Sequence, residues 1–334
     1  MTQPPSSPSP PSPPTAAPNA LESVDAVQTA LAAQHYIADR GLATAVYLAL
    51  RRHKPLLLEG EPGVGKTEVA RVLAQALGTR LIRLQCYEGI DQATAVYEWN
   101  YPRQLLYIRA LDTAGPSGPD GHTPESAAKG RSAAEERLRD VFGPDFLIRR
   151  PLLQALDAAE QRPPVLLIDE LDRADAEFEA FLLELLSDYQ ITIPEIGTLH
   201  AAQPPVVVLT SNRTRDIHDA LRRRCLYYWI EYPSLEKEYA IVLARVPEAP
   251  QRLARQVVAF VQALREEDLF KAPGVAETLD WLEALMTLGQ TELTEQAARD
   301  ALGALLKYQD DIQKVTSGNL LGRLVEKIRA SLTR

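Results

Sequence analysis

The chain has 334 residues, of which 46% are hydrophobic and 24% charged, and its formal net charge is −9. This composition is typical of a globular protein and excludes a wholly disordered chain. The length predicts two folded units, or one large α/β domain with additions. The acidic balance argues against nucleic acid or anionic lipid as a partner. No apolar run reaches the roughly 18–20 residues that a membrane span needs, so we expect no span.

The cysteines and the N-terminal segment bear on the compartment. The only cysteines, Cys86 and Cys225, lie far apart and form no CxxC pair, which predicts neither a disulfide framework nor a zinc site. The N-terminus lacks the basic start and apolar run of a signal peptide. We therefore expect a cytoplasmic protein. Residues 1–20 are rich in proline and predict a disordered tail, either a plain solvated extension or an SH3-type docking segment.

Helical and strand patterns follow the tail in chain order. Apolar residues recur at near-helical spacing over 21–50, which predicts a helical lead-in. Strands are predicted at 55–59, 80–86, 165–169, 205–211 and 226–231, and helices at 66–77 and 178–187. This alternation is typical of an α/β fold with a mostly parallel sheet covered by helices on both faces. The Gly/Pro/Ser-rich stretch 113–132 predicts a mobile surface loop.

Beyond residue 235 the strand signals end. Helical spacing dominates, with breaks at 246–250 and 271–274, which predicts an all-helical second domain. The chain is thus divided into the tail 1–20, an α/β domain at 21–232 and a helical domain at 233–334.

A glycine-rich motif lies between the first predicted strand and the helix that follows it. Its residues are Gly60, Glu61, Pro62, Gly63, Val64, Gly65, Lys66 and Thr67, the P-loop pattern in its required context. The glycines let backbone N–H groups converge on phosphate oxygens, and the helix N-terminus adds positive potential. Lys66 is predicted to reach the β and γ phosphates and Thr67 to bind Mg²⁺, and we add Glu68 to the nucleotide-binding residues. The motif predicts a nucleotide site.

Two carboxylates end the third predicted strand. Asp169 closes the apolar run and Glu170 follows it, at the carboxyl edge of the sheet where open α/β folds bind ligands. Asp169 is predicted to hold Mg²⁺ or its waters, and Glu170 to orient the attacking water or accept its proton. A strand that simply ends in a polar turn is the alternative, and the P-loop favours hydrolysis over it. Asp172, Arg173 and Asp175 are compatible with capping the next helix.

Later segments supply two more candidates. Asn212 ends the 205–211 strand and is predicted to hydrogen-bond the γ-phosphate or the water, with a local turn cap as the alternative. Arg222, Arg223 and Arg224 close a helical segment, and an arginine presented to a neighbouring subunit favours phosphoryl transfer. We place Arg224 first and Arg223 second. A solvated surface or an RNA-binding patch is the alternative.

Together, these motifs in this order resemble an AAA+ ATPase. The segment 165–233, from VLLIDELDRAD to LRRRCLYYWIEYP, is similar to the MoxR branch. The segments LIRLQCYEGIDQATAVYEWNYPRQLLY (81–107) and KAPGVAETLDWLEAL (271–285) resemble its CoxD subgroup, which is associated with carbon monoxide dehydrogenase and related molybdenum hydroxylases.

The resemblance implies an α/β P-loop AAA+ module followed by an all-helical lid domain. It also implies a ring, usually a hexamer, that hydrolyses ATP with Mg²⁺ at each subunit interface. One protomer supplies Lys66, Thr67, Asp169, Glu170 and Asn212, and the next supplies the arginine. A chaperone-like remodelling activity beside a von Willebrand factor A domain protein is implied, and for the CoxD subgroup the task is maturation of a molybdenum-copper site.

The chain departs from many AAA+ proteins in one place. An arginine is expected early in the third lid helix, but the matching stretch 271–277 has none, and Lys271 and Arg323 are the candidates to replace it. In the family, an insertion that here spans about 88–107 is expected to face the ring pore or the client. Its aromatic residues either grip a polypeptide or pack in the core; they are Tyr87, Tyr97, Trp99, Tyr101 and Tyr107.

Three other functions remain open. The family includes activators of other metabolic enzymes, such as Rubisco. The three arginines are compatible with a nucleic-acid-dependent motor, which the net charge opposes. The missing lid arginine is compatible with a nucleotide-switched scaffold that hydrolyses slowly or not at all.

Overall fold

The computed structural model describes residues 21–113, 141–157, 162–317 and 319–331. The predicted tail 1–20 lies outside these ranges, and so does the predicted loop 113–132 apart from Thr113.

Helices and short strands alternate through the first two thirds of the chain. The strands are β1 (Leu56–Gly60), β2 (Leu81–Gln85), β3 (Tyr97–Trp99), β4 (Leu147–Arg149), β5 (Val165–Asp169), β6 (Gln190–Ile193), β7 (Gly197–His200), β8 (Val206–Ser211) and β9 (Leu226–Ile230). The helices among them are α1 (Val24–Ala32), α2 (Arg40–Arg52), α3 (Lys66–Leu77), α4 (Gln92–Ala95), α5 (Tyr101–Thr113), α6 (Pro151–Leu156), α7 (Ala176–Asp188) and α8 (Asp219–Arg224). The C-terminal helical region holds α9 (Leu235–Arg245), α10 (Gln251–Arg265), α11 (Val275–Thr287), α12 (Glu295–Asp300), α13 (Leu302–Leu305), α14 (Gln309–Ser317) and α15 (Leu320–Ser331).

The central sheet has five strands in the order β2-β5-β8-β1-β9, and every neighbouring pair is parallel. The prediction of a parallel α/β fold is confirmed, and all five predicted strands are present with bounds shifted by at most a residue or so. The helix predicted at 66–77 has these bounds in the structure. β1 and β5 are buried at every residue because helices cover both faces of the sheet.

Alternate residues of β1 pack on opposite faces of the sheet. Leu57 lies in a core with residues of α6 and α7. Leu56 and Leu58 lie in a second core with residues of α1, α2 and α3. The period-2 alternation of a strand thus buries side chains in two layers and fixes β1, with the P-loop that follows it, in the centre of the fold.

The structure corrects the predicted helical lead-in. The stretch 21–50 is interrupted at 33–39, where His35 has a left-handed backbone (φ 60°). Asp39 then starts α2 by accepting a hydrogen bond from the Leu42 N–H at 2.8 Å. The spacing of apolar residues looked helical across this break because α1 and α2 both bury apolar residues in the same core.

Two antiparallel strand pairs were not predicted. β3 pairs with β4, and β6 forms a hairpin with β7. Each of these strands has only three or four residues, too few for a clear alternation. In the segment around them, Trp99 is buried, Tyr97 and Tyr107 pack against the core, and Tyr87 and Tyr101 are exposed.

The described part of the region after β9 contains helices and no strand, and the predicted breaks at 246–250 and 271–274 are confirmed. Its core is centred on Phe260 and Trp281, whose ring centroids lie 5.0 Å apart. None of the helices in the described ranges has the length and apolar character that crossing a bilayer requires.

Candidate nucleotide site

The P-loop connects the end of β1 to the start of α3. Gly63 has φ +77°, a left-handed conformation that favours glycine. At Gly60 an added Cβ would lie 2.3 Å from the carbonyl oxygen of Ile230, so only glycine allows β9 to approach. Gly65 caps α3 without a side-chain hydrogen bond, which leaves the N–H groups of the first turn available to an anion.

The Lys66 ammonium group is folded against the loop. Its Nζ donates hydrogen bonds to the carbonyl oxygens of Gly60 and Glu61, both at 2.7 Å. The residue is only 6% exposed. Burial lowers the pKa of Lys66 to about 8, although the nearby carboxylates of Asp172 and Glu61 oppose this shift. A buried cation of this kind suits a phosphate partner.

The Asp169 carboxylate is the centre of the polar network. Thr67 Oγ1 donates to its Oδ1 at 2.9 Å, and Thr210 Oγ1 donates to the same oxygen at 2.5 Å. Arg83 binds the other oxygen, Oδ2, through Nε at 3.0 Å and Nη2 at 2.5 Å. The predicted neighbours Thr67 and Asp169 are therefore together. Thr210 and Arg83 were not predicted.

This donor set fits Mg²⁺. A threonine hydroxyl and a carboxylate are oxygen ligands, and Mg²⁺ is usually bound by one or two protein oxygens, phosphates and several waters. Within the described ranges, no group of three or more His, Cys, Asp or Glu side chains suits a metal ion. The protein therefore supplies only part of the ligands at Asp169, which leaves the remaining positions for phosphate oxygens and waters.

Glu170 has a left-handed backbone, with φ 54°. Its N–H donates to Thr210 Oγ1 at 3.0 Å, and its Oε2 lies 2.9 Å from Arg173 Nε. The side chain is 31% exposed, so water reaches it. A non-glycine residue in this conformation costs about 1–3 kcal/mol, and such strained residues cluster at active sites.

Asp172 positions the segment that follows β8. Its Oδ1 accepts the Asn212 N–H at 3.2 Å, and its Oδ2 accepts the Thr214 N–H at 3.0 Å and hydroxyl at 2.6 Å. Burial alone would raise the pKa of Asp172, but these hydrogen bonds outweigh it and lower the pKa. The expectation that Asp172 caps the next helix is wrong, because its oxygens are used here. Asp175 does cap α7, accepting the Phe178 N–H at 2.8 Å.

The three consecutive arginines have different surroundings. Arg222 Nη2 lies 2.7 Å from Glu59 Oε1, and its guanidinium lies over the Tyr227 ring. Arg224 Nε donates to Ser187 Oγ at 2.8 Å. Arg223 is exposed, and within the described ranges its side chain makes no hydrogen bond or ion pair. Arg224 and Arg223, which we placed first and second as the arginine presented to a neighbouring subunit, are therefore more exposed than Arg222.

A cavity of about 210 Å³ opens beside the P-loop. Its walls come from the segment before α2, from the loop itself, from the end of β9 and from the C-terminal helical region; they include Tyr36, Ile37, Val64, Ile230, Ala276 and Leu279. Glu68 lies on the wall, where its carboxylate pairs with Arg71 and Arg245. The cavity is mainly apolar, as a flat heterocyclic base requires. Lys271 and Arg323, the candidates for the missing lid arginine, are both exposed.

A P-loop after the interior strand β1, with an acidic tip on β5 two strands away, defines a P-loop nucleotide hydrolase. Residues 55–225 match the family model described as AAA domain (dynein-related subfamily), and the chain belongs to this family. It is an ATPase that uses ATP with Mg²⁺.

Solved structures that are similar to this chain include the RuvB Holliday junction branch migration motor of Thermotoga maritima. It is 17% identical over 93% of this chain and 84% of that chain, with a TM-score of 0.43. A mutant of the same protein is 17% identical over the same shares of both chains, with a TM-score of 0.45.

Proposed function

We propose that this AAA ATPase acts as a ring, most simply a hexamer, that remodels an immature molybdenum hydroxylase such as carbon monoxide dehydrogenase. A protein with a von Willebrand factor A domain is the proposed adaptor. Support comes from the resemblance of 81–107, 165–233 and 271–285 to the MoxR branch and its CoxD subgroup. The proposal includes the division into an α/β domain at 21–232 and a helical lid domain at 233–334.

One observation carries the assignment of the site: the 2.9 Å hydrogen bond between Thr67 Oγ1 and Asp169 Oδ1. It joins the P-loop helix to the acidic strand tip, as an ATP–Mg²⁺ site requires. In the proposed mechanism Thr67 and Asp169 would hold the ion, which would neutralise charge on the phosphate oxygens. The P-loop N–H groups and Lys66 bind the β and γ phosphates, and Lys66 exchanges the carbonyls of Gly60 and Glu61 for them.

Glu170 is the proposed base. It takes a proton from the attacking water or orients it, and for this its carboxylate exchanges Arg173 for water. Asn212, held through its N–H by Asp172, presents its side-chain amide to the water or the γ-phosphate. Arg224 or Arg223 of one subunit stabilises the transition state in the next. The apolar cavity beside Val64 takes the adenine base.

The nucleotide site is tested with Lys66→Ala and with Lys54→Ala as the control, because Lys54 is an exposed lysine just before β1. We expect Lys66→Ala to abolish ATP turnover and to weaken ATP binding strongly, and Lys54→Ala to leave both unchanged. Turnover that survives in Lys66→Ala would contradict the site.

The client is tested with a molybdenum hydroxylase isolated before its metal site is complete. In a buffer that also supplies copper and a sulfur donor, we expect ATP and this protein together to restore its activity, and Glu170→Gln to bind ATP without restoring it. Glu177→Gln, an exposed glutamate on α7, is the matched control. Turnover stimulated by DNA or RNA, or by inhibited Rubisco, instead of by this client would contradict the proposal.

A further inference from the structure

The first turn of α11 contacts the P-loop through main-chain atoms. The carbonyl oxygen of Gly63 accepts hydrogen bonds from the N–H groups of Val275 at 3.0 Å and Ala276 at 3.3 Å. A Cβ added at Gly274 would lie 2.8 Å from both Gly63 Cα and Pro62 O. The two glycines therefore abut, and a side chain on Gly274 would separate the helix from the loop.

Side chains of α11 itself hold this turn in place. Glu277 Oε2 accepts the Gly274 N–H at 2.9 Å, so the side chain at the third helical position caps the N-terminus of α11. The Thr278 hydroxyl lies 2.7 Å from Glu238 Oε1 and 3.0 Å from the Gly274 carbonyl oxygen, and it shares its one proton between these two acceptors. These side chains hold both the N–H and the carbonyl group of Gly274 independently of the contact with the P-loop.

A buried ion pair fixes the segment just before the turn. Glu238 is fully buried, and Arg265 Nη1 and Nη2 bind its carboxylate at 2.6 and 2.8 Å. Arg265 Nε donates to the carbonyl oxygen of Pro273 at 2.8 Å. The guanidinium also stacks 4.6 Å from the centre of the Tyr232 ring, at the end of the α/β part of the chain. The C-terminal helical region therefore presents a rigid N–H pair to the loop.

The contact controls the orientation of one peptide group. In a planar trans peptide the C=O and N–H bonds point in opposite directions. When α11 holds the Gly63 carbonyl, the Val64 N–H in the same peptide points away from α11. Gly63 has no side chain and a left-handed backbone, so without α11 this peptide would have other orientations available.

We propose that the first turn of α11 positions the Gly63–Val64 peptide for phosphate binding, which couples nucleotide affinity to the C-terminal helical region. Gly274 and Glu277 are positioning residues in this scheme. The inference rests on the proposed nucleotide site. By linkage, a bound nucleotide also holds α11 against the loop more firmly.

The test compares Gly274→Ala with Gly303→Ala in the full chain. Gly303 lies in α13 and no atom lies within 4 Å of its added Cβ. The readout is the Kd for ADP by calorimetry. We expect Gly274→Ala to raise the Kd about tenfold, within the usual range of coupling energies, and Gly303→Ala to leave it unchanged. Equal Kd values in the two variants would overturn the inference.

A second set of variants covers the case in which Gly274→Ala does not fold. Glu277→Ala removes the acceptor for the Gly274 N–H but leaves both glycines, and Glu277→Gln keeps an oxygen in that place. We expect the Kd for ADP to rise in Glu277→Ala and to recover in Glu277→Gln. Glu283→Ala, an exposed position on the same helix, is the control. A Glu277→Ala protein that binds ADP like the control would also overturn the inference.

Hydrogen exchange separates positioning from simple stabilisation. ADP is expected to slow exchange of the Val275 and Ala276 N–H groups in the wild type and not in Lys66→Ala. Wild-type protein that fails to bind ADP would overturn the nucleotide site and this inference together. Wild-type protein that binds ADP without slowing these two amides would overturn the inference and leave the site standing.

Discussion

Glu59, the residue before the first P-loop glycine, forms an ion pair with Arg222, the first of the three consecutive arginines. Glu59 is fully buried, and its Oε1 lies 2.7 Å from Arg222 Nη2. The Tyr227 hydroxyl bonds the other oxygen at 3.1 Å. Arg222 is thus used inside the subunit, where it connects α8 to the end of β1.

This pair predicts that Arg222→Ala destabilises the fold. Removal of the guanidinium leaves a buried carboxylate with Tyr227 as its remaining partner. We expect a loss of about 1–3 kcal/mol, below the 3–5 kcal/mol of a fully buried pair because Arg222 is partly exposed. Urea unfolding measures the loss. A double variant with Glu59→Gln should be more stable than Arg222→Ala alone, and additive losses would contradict the coupling.

The other two arginines are predicted to act between subunits. Arg223→Ala and Arg224→Ala should keep ATP binding, and the one that removes the transition-state contact should lose about 10³-fold in turnover. Mixing that variant with Lys66→Ala subunits should restore part of the turnover, because some interfaces then pair an intact P-loop with an intact arginine. Mixed rings that stay inactive would assign the arginine to its own subunit.

Thr210 is predicted to support catalysis without contacting ATP. Its hydroxyl donates to Asp169 and accepts the Glu170 N–H, so it orients both carboxylate residues. Thr210→Val keeps the shape and removes both bonds. We expect turnover to fall about 10–100-fold, as for other residues that orient metal ligands, while ADP binding changes little. Thr192→Val, an exposed threonine of the β6–β7 hairpin, is the control. Unchanged turnover in Thr210→Val would contradict this assignment.

Asp39 is predicted to make stability depend on pH. Burial would raise its pKa, but hydrogen bonds from Tyr228, the Leu42 N–H and Lys237 outweigh burial and lower it. A lowered carboxyl pKa adds stability above the unfolded pKa of about 3.9, and this stability is lost as the pH falls through the folded value.

The measurement is the melting temperature of Asp39→Asn and wild type against pH. Because Asp39 is partly exposed, we expect Asp39→Asn to melt about 1–2 °C lower at pH 7, and the difference to close below about pH 4. Asparagine keeps the helix cap, so the change isolates the charge. Asp280→Asn, an exposed aspartate on α11, should show no such difference. A gap that persists at low pH would contradict the ionic origin.

The site was partly predictable. The P-loop, Asp169 and Glu170 were predicted because a glycine-rich turn and an acidic strand end are local patterns with a chemical reason, and the structure brings Thr67 of the loop within 2.9 Å of Asp169. Thr210 was overlooked although Asn212, two residues further along, was a candidate, since a threonine within a strand of β-branched residues also suits the strand itself. Arg83 had no signal, because an arginine on an edge strand is ordinarily solvated.

The sequence by itself determined the periodicity of burial and the phosphate-binding turn. From these it predicted the five strands of the central sheet, the helix at 66–77, the parallel sheet and the helical region after β9, because each depends on residues a few positions apart. The tertiary structure alone decided which distant groups meet, such as Arg222 with Glu59 and Gly274 with Gly63. These contacts depend on the strand order β2-β5-β8-β1-β9 and on how α11 packs on the P-loop. Neither the strand order nor this packing can be predicted from residues that are close together in the sequence.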